Sequence, residues 1–164
     1  MSQQNPYAPP NAEVTDFTSA TDQAPPLWNP NAAASWSLVF SPIFGAYLHM
    51  KNWQALGQSE KAAKSKNWVI GLTVFFLFAI TLPLFANGSG ASELLGRFGG
   101  FVLLIAWYYG IGKSQSAFVL AKFGKNYKRR GWSIPLLFAL GLFVGLIVVV
   151  VLLVLAIGGA GSAA

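Results

Sequence analysis

The run at residues 132–157, WSIPLLFALGLFVGLIVVVVLLVLAI, contains no charged side chain. Its 26 residues would form a helix of roughly 39 Å, which exceeds the ~30 Å hydrocarbon core of a bilayer and predicts a tilted or protruding transmembrane helix. Residues 68–86, WVIGLTVFFLFAITLPLFA, are a second uncharged run, and their 19 residues match the thickness of that core. Both runs therefore predict membrane spans.

A third apolar run, residues 98–112, is too short to cross the membrane by itself. It reaches spanning length if it begins at residue 94 and the guanidinium of Arg97 snorkels to the headgroups. Apolar residues continue beyond it at helical spacing, with basic residues on another face. We therefore place the third span at residues 94–112 and expect its helix to leave the bilayer, follow the membrane surface and end at Gly124.

The overall composition argues against most kinds of catalytic and metal-binding sites. Of the 164 residues, 54% are hydrophobic and 10% are charged, for a net charge of +6, whereas soluble domains carry about a quarter charged residues. The chain has no cysteine, one histidine and five acidic residues, and the candidates His49, Glu60 and Glu93 fall in separate segments, so no thiol, acid–base pair or metal-ligand cluster is indicated. We predict that the protein is not an enzyme and has no catalytic residue, cofactor or metal site. His49 is interpreted as a packed or interfacial histidine.

The basic residues form two islands, within residues 51–66 and 113–130, between the apolar runs. Because Lys and Arg are retained on the cytoplasmic side of short loops, both islands should be cytoplasmic and the C-terminus outside. We expect them to set the topology and to contact the headgroups of anionic lipids, with no nucleic acid as partner. These residues are Lys51, Lys61, Lys64, Lys66, Lys122, Lys125, Lys128, Arg129 and Arg130. The aromatic residues expected to anchor the spans at the interface are Trp68, Trp107, Tyr108, Tyr109 and Trp132.

The first apolar segment, residues 32–50, is ambiguous. It reads AAASWSLVFSPIFGAYLHM and is long enough to span, but Pro42 removes a backbone donor at its centre. It is either a fourth transmembrane helix or a broken segment whose two short helices meet at Pro42 and dip into the membrane or lie at its interface. Residues 51–66, which combine apolar and basic side chains, predict an interfacial helix.

Two further regions complete the domain organisation. Residues 1–30 hold six of the nine prolines and few aliphatic side chains, which predicts a disordered tail. Residues 31–164 are predicted to form a single helical membrane domain. In its longest span, Gly141 and Gly145 form a GxxxG pair, a spacing that lets two helices approach closely, so we expect these glycines to mark a helix-packing face.

Parts of the chain resemble a group of uncharacterised small bacterial inner-membrane proteins. The parts are NPYAPP at residues 5–10, LWNPNAAASWSLVFSPIFGAYLHMKNWQALG at residues 27–57, and FGKNYKRRGWSIPLL at residues 123–137. The shared pattern is a Pro turn inside an apolar segment, followed by a helix that ends in Asn-Trp-x-Ala-Leu-Gly. The resemblance implies a bacterial inner membrane, a cytoplasmic N-terminus and the re-entrant or interfacial form of the ambiguous segment. It implies no activity and no functional residue.

The expected fold is thus an all-α integral membrane protein with three transmembrane helices, a broken N-terminal apolar segment and a disordered tail. The leading functional hypothesis is a non-enzymatic accessory, regulatory or assembly subunit that acts through contacts with lipid, with other membrane proteins or with itself. An immunity protein against a membrane-acting toxin is one form of this hypothesis. The alternative is a small oligomeric transporter or channel subunit, although transport paths usually contain ionisable residues, which the predicted spans almost lack.

Overall fold

The computed structural model of the protein describes residues 24–85 and 90–161. Residues 1–23 of the predicted disordered tail lie outside the described residues. The described chain forms six α-helices, with one isolated β-bridge and no β-strand among these residues. The helices are α1 (Pro30–Trp36), α2 (Pro42–Ala55), α3 (Ser59–Phe85), α4 (Gly90–Trp107), α5 (Lys113–Phe123) and α6 (Ser133–Gly161). A π-helical turn, Tyr108–Gly112, joins α4 to α5 without a break.

Three helical stretches are long and apolar enough to cross a membrane, which confirms the predicted class of an all-α, multi-pass membrane protein. They are Ser59–Leu82, Glu93–Phe123 and Ser133–Leu155. The helices extend past the predicted spans at their polar ends, because a helix satisfies its own backbone hydrogen bonds wherever it lies. The continuous rod of α4, the π-helical turn and α5 ends at Gly124, where φ is +64°, as predicted.

The ambiguous apolar segment is broken at Pro42 into a helical hairpin made of α1 and α2. The side chain of Asn29 caps α1 by accepting the backbone N–H groups of Asn31 and Ala32 at 3.0 and 3.4 Å. The two helices have 7 and 14 residues, hence lengths of roughly 10 and 21 Å, so neither crosses a ~30 Å core. The structure therefore contains the broken segment and not a continuous fourth transmembrane helix.

The interfacial helix expected over residues 51–66 is not a single element. α2 ends at Ala55 and α3 begins at Ser59, so the segment is divided between two helices. The division follows from Gly57, whose φ of +69° is readily adopted by glycine but costly for other residues. Its N–H and that of the next residue bond to carbonyls in the last turn of α2 at 3.1 and 2.9 Å, which closes that helix.

The core lies where α2 packs between α3 and the α4–α5 rod. Its buried apolar residues are Ala46, Leu72, Leu104 and Trp107. Gly45 permits the close approach of α2, because a Cβ at this position would lie 2.5 Å from Cη2 of Trp107 and would also collide with the hydroxyl of Ser37. α2 is therefore held alongside α3 and α4, and α1 returns beside it.

Residues 24–30, which the sequence assigns to the disordered tail, are part of the fold. Leu27 is fully buried, its N–H donates to the carbonyl of Lys128 at 3.1 Å, and its carbonyl accepts the N–H of Arg130 at 2.8 Å. The indole N–H of Trp28 donates to the carbonyl of Gly131 at 3.0 Å. An extended proline-rich segment can pair through its backbone in this way, so composition alone placed the end of the tail too late in the chain.

Candidate functional site

A cluster of fully buried polar side chains joins α2, α5 and the segment before α1. Asn52 accepts the backbone N–H of Trp28 at 3.0 Å and donates to the carbonyl of the same residue at 2.8 Å. Its amide also donates to Oε1 of Gln115 at 3.2 Å, and Nε2 of Gln115 donates to the carbonyl of His49 at 2.8 Å. The imidazole Nε2 of His49 lies 3.1 Å from the carbonyl of Pro30. We call His49, Asn52 and Gln115 the polar cluster.

The imidazole of His49 is buried and neutral at neutral pH. Its Nε2 carries the proton, because a backbone carbonyl can only accept a hydrogen bond. The ring packs edge-on against Trp107, with ring centroids 5.1 Å apart. Burial lowers the pKa of His49 from 6.5 to about 4, and the hydrogen bond to Pro30 opposes this shift only in part. The interpretation of His49 as a packed histidine is confirmed.

The bonding of the polar cluster fits a structural role. Its side chains bond to one another and to backbone carbonyls, and these partners do not exchange protons near neutral pH. Among the described residues, no group of three His, Cys, Asp or Glu side chains is close enough to hold a metal ion. A buried hydrogen-bond network of this kind fixes the relative position of the elements that it joins, although Nδ1 of His49 has no hydrogen-bond partner among the described residues.

Two basic residues stack on aromatic rings at the edge of this region. The ammonium of Lys61 lies 4.7 Å from the ring centroid of Trp53 and 4.5 Å from that of Phe118, which ties α3 to α2 and α5. The guanidinium of Arg130 lies 4.6 Å from the ring centroid of Trp28. Of the basic residues expected to face lipid, these two thus contact rings from other segments, whereas Lys51, Lys122 and Arg129 lie 5.4–5.6 Å from rings of near neighbours in the chain. Among the others, Lys51 is half-buried and Lys64, Lys66, Lys122, Lys125, Lys128 and Arg129 are exposed.

The two basic islands come together at one end of the molecule. α3 and α4 run antiparallel, because the Cβ position of Gly99 lies 2.6 Å from the ring of Phe75 and that of Gly110 lies 3.9 Å from the ring of Trp68. The start of α3 therefore lies beside α5 and near the loop before α6. Glu93, in the first turn of α4, lies at the opposite end.

A cleft runs between α1 and the α4–α5 rod, and we call it the α1 cleft. Its apolar part has a volume of about 380 Å³ and is lined by Leu38, in the turn after α1, and by Phe101 and Ile105 of α4, among others. Tyr109 lines the same part, and the ammonium of Lys113 lies 5.9 Å from the centroid of its ring. This part is open on the side that the span would present to lipid.

The polar part of the α1 cleft has a volume of about 230 Å³. It is lined by Lys125, Arg129 and the hydroxyl-bearing Ser116, whose buried Oγ finds no hydrogen-bond partner within the described chain. Asn31 of α1 borders both parts, so they are neighbours along α1. The cleft thus passes from a basic end to an apolar end over a short distance.

The predicted interface anchors do not all face the membrane. Trp107 is fully buried and does not contact lipid, because α2 covers that face of α4. Trp68, Tyr108 and Trp132 are half-buried, and Tyr109 is exposed over 69% of its surface. The prediction was wrong for Trp107 because an aromatic residue at the end of a span looks the same in sequence whether it meets lipid or protein.

Gly141 and Gly145 take no part in packing within the described chain. No atom lies within 4 Å of the Cβ position of either glycine. Ala139 is the only buried residue in the part of α6 whose side chains are described. The close helix approach occurs elsewhere, where Gly99 of α4 meets Phe75 of α3, so the expected packing role of the two α6 glycines is not met inside one chain.

Asn52 and Gln115 are site residues that the sequence analysis missed. A usable signal existed for Asn52, since it follows His49 by three residues and therefore shares its helix face. Gln115 gives no comparable signal, because its partners are 63 and 66 residues away in the chain. Long-range amide pairing is invisible to helical periodicity.

No protein-family model, curated protein or solved structure matches the chain. The function must therefore be argued from the geometry of the residues described above.

Proposed function

We propose that the protein is a non-enzymatic accessory, regulatory or assembly subunit of the bacterial inner membrane that acts by packing α6 against a helix of another membrane protein. The observation that carries this proposal is the isolation of α6. It is the most apolar helix of the chain, yet almost none of it is covered by the rest of the described chain. A membrane helix that its own bundle does not use is available for association with a partner.

The glycine pair favours one particular face of α6 as the proposed contact surface. At 100° per residue, Gly141 and Gly145 lie on roughly the opposite side of the helix from Ala139, the buried residue that faces the rest of the chain. The space around both glycines is open. Small residues at this spacing allow close helix approach in membranes, where van der Waals packing drives association.

The buried polar groups support a contact role over catalysis. The polar cluster of His49, Asn52 and Gln115 is held by hydrogen bonds within the cluster and to the backbone, so these residues stabilise the fold. The acids of the described chain, Glu60 and Glu93, lie near opposite ends of the α3–α4 pair. An acid–base mechanism requires groups within hydrogen-bonding distance of one substrate atom.

The gathering of basic residues at one end supports a cytoplasmic position for that end. α6 then starts in the cytoplasm and carries the C-terminus outside. Exposed basic residues at this end suit contact with anionic lipid headgroups. The bacterial inner membrane is the setting implied by the resemblance at residues 5–10 and 27–57.

Site-specific photo-crosslinking in native membranes tests the proposed contact. A photoreactive side chain at Val148, on the glycine face, should give a discrete adduct, whereas one at Val150, on the opposite face, should not. Gly141→Leu should abolish the adduct, and Gly96→Leu serves as a matched control because the Cβ position of Gly96 is equally open. Equal adducts from both faces, or an adduct that survives Gly141→Leu, would contradict the proposal.

Cysteine labelling tests the orientation, since the chain has no native cysteine. Ser89→Cys should react with an impermeant reagent added from outside. Ala63→Cys, at an exposed position near the start of α3, should react only after the membrane is permeabilised. The reverse pattern would invert the topology. Selective flux through proteoliposomes above an empty-vesicle control would instead support a transporter or channel subunit.

A further inference from the structure

We propose that the α1 cleft binds one anionic phospholipid, with its phosphate at the polar part and an acyl chain in the apolar part. This site goes beyond the proposed α6 contact and does not depend on it. The proposal rests on two neighbouring cavities, one apolar and one bordered by basic side chains, that share Asn31 as a lining residue. A ligand that fills both must be charged at one end and apolar at the other.

The apolar part suits an acyl chain. Leu38 in the turn after α1 and Phe101 and Ile105 on α4 line it, and all three are substantially exposed in the protein alone. Its volume of about 380 Å³ falls within the roughly 300–1,000 Å³ typical of small-molecule sites. A flexible chain can follow a shallow, open groove of this kind.

The polar part suits a phosphate group. Lys125 and Arg129 line it, and among the described residues no carboxylate does. The unpartnered hydroxyl of Ser116 is a further donor at this position. Positive charge and the Asn31 amide together complement an anionic headgroup, and the buried Ser116 hydroxyl lies beside them.

The ends of the cleft lie at the depths that a lipid requires. The polar part is built from α5 and the basic loop, at the end of the molecule that gathers the positive charge. The apolar part is built from α4, inside the stretch Glu93–Phe123 that can cross a membrane. A phosphate free in solution would use only the first part, and an apolar helix only the second.

Native mass spectrometry of the purified full-length protein tests the site. The probes are phosphatidylglycerol and phosphatidylcholine with identical acyl chains. We expect one phosphatidylglycerol to bind more tightly than the first phosphatidylcholine. The double substitution Lys125→Gln and Arg129→Gln should weaken phosphatidylglycerol binding roughly 25-fold, since each basic residue near an anionic lipid contributes about fivefold to the affinity. The matched control, Lys64→Gln with Lys66→Gln, removes the same charge from exposed positions outside the cleft and should change binding less than threefold.

A second pair of variants tests the acyl groove. Ser35→Trp fills the apolar part from α1, whereas Leu77→Trp adds the same bulk at an exposed position on α3 outside the cleft. Ser35→Trp should weaken binding of both lipids at least tenfold and Leu77→Trp should not. Melting temperatures of all variants are measured in parallel, so that a variant that fails to fold is recognised and replaced by Ile105→Trp.

Four results would overturn the proposal. The first is an equal loss of binding in the two charge-neutralised pairs, which would indicate diffuse electrostatics. The second is full competition by glycerol phosphate, which would indicate a site for a soluble phosphate. The third is a photo-crosslink from Ser35 to a protein in place of lipid. The fourth is equal weakening of lipid binding by Ser35→Trp and Leu77→Trp, which would indicate that the apolar part holds no acyl chain.

Discussion

Replacing Asn52 with alanine should destabilise the protein more than any other single change in the polar cluster. The substitution removes three hydrogen bonds, two with the backbone of Trp28 and one with Gln115. Each buried hydrogen bond contributes about 1 kcal/mol net, and the stranded partners add a desolvation cost. We therefore expect the free energy of unfolding to fall by about 3 kcal/mol.

The assay is equilibrium unfolding of the purified protein in a mild detergent, followed by tryptophan fluorescence. Gln54→Ala is the control, because Gln54 is an exposed amide on the same helix, two residues from Asn52. It should change the free energy of unfolding by less than about 0.5 kcal/mol. Hydrogen exchange should also accelerate at residues 27–31 in the Asn52 variant, since Asn52 holds that segment to α2.

A loss of stability in Asn52→Ala no greater than that in Gln54→Ala would contradict this expectation. A fall in stability with exchange at residues 27–31 still slow would contradict it equally. The first result would mean that the buried amide contributes nothing net, and the second that another contact holds the N-terminal segment in place.

Three further predictions concern packing, charge and pH. Gly45→Ala should lower the free energy of unfolding by about 1–3 kcal/mol, because the new methyl overlaps the ring of Trp107; an unchanged unfolding midpoint would contradict this. Lys61→Met should cost about 1 kcal/mol through loss of its two ring contacts, while Lys64→Met at an exposed position should cost nothing measurable in the same titration. The folded-state pKa of His49 is lowered from 6.5 to about 4, so as the pH falls the unfolded chain binds a proton before the folded chain does. The free energy of unfolding should therefore fall by about 3 kcal/mol between pH 6.5 and pH 4. His49→Gln should flatten this pH dependence, and a slope that persists would assign it to another group.

The spans could be predicted because an uncharged run of membrane length has few other places to lie. The break at Pro42 and the helix end at Gly124 could also be predicted, since proline restricts the backbone and glycine readily adopts the positive φ found there. Gly57 was overlooked for the opposite reason. Its neighbours have the composition of one amphipathic helix, and only the positive φ at this glycine divides them into two.

Most of the candidate site could not be predicted from the sequence. Trp107 could be assigned to a helix end but not to a face, because the face depends on where α2 packs. The same limit applies to Gln115, which lies after the π-helical turn. That turn adds a residue to one helical cycle and rotates everything beyond it, so the helix faces of α4 do not continue unchanged into α5.

The bridge between Leu27 and Arg129 also decides where the N-terminal segment enters the fold. Residue 24, at which the described chain begins, lies three residues before this bridge, and α6 begins four residues after it. Whatever binds residues 1–23 is therefore tethered beside the start of the unpaired helix. Tethering over a short linker gives an effective concentration on the order of millimolar. In this arrangement, weak binding by residues 1–23 and weak packing of α6 within the bilayer would together hold a single partner in a stable complex.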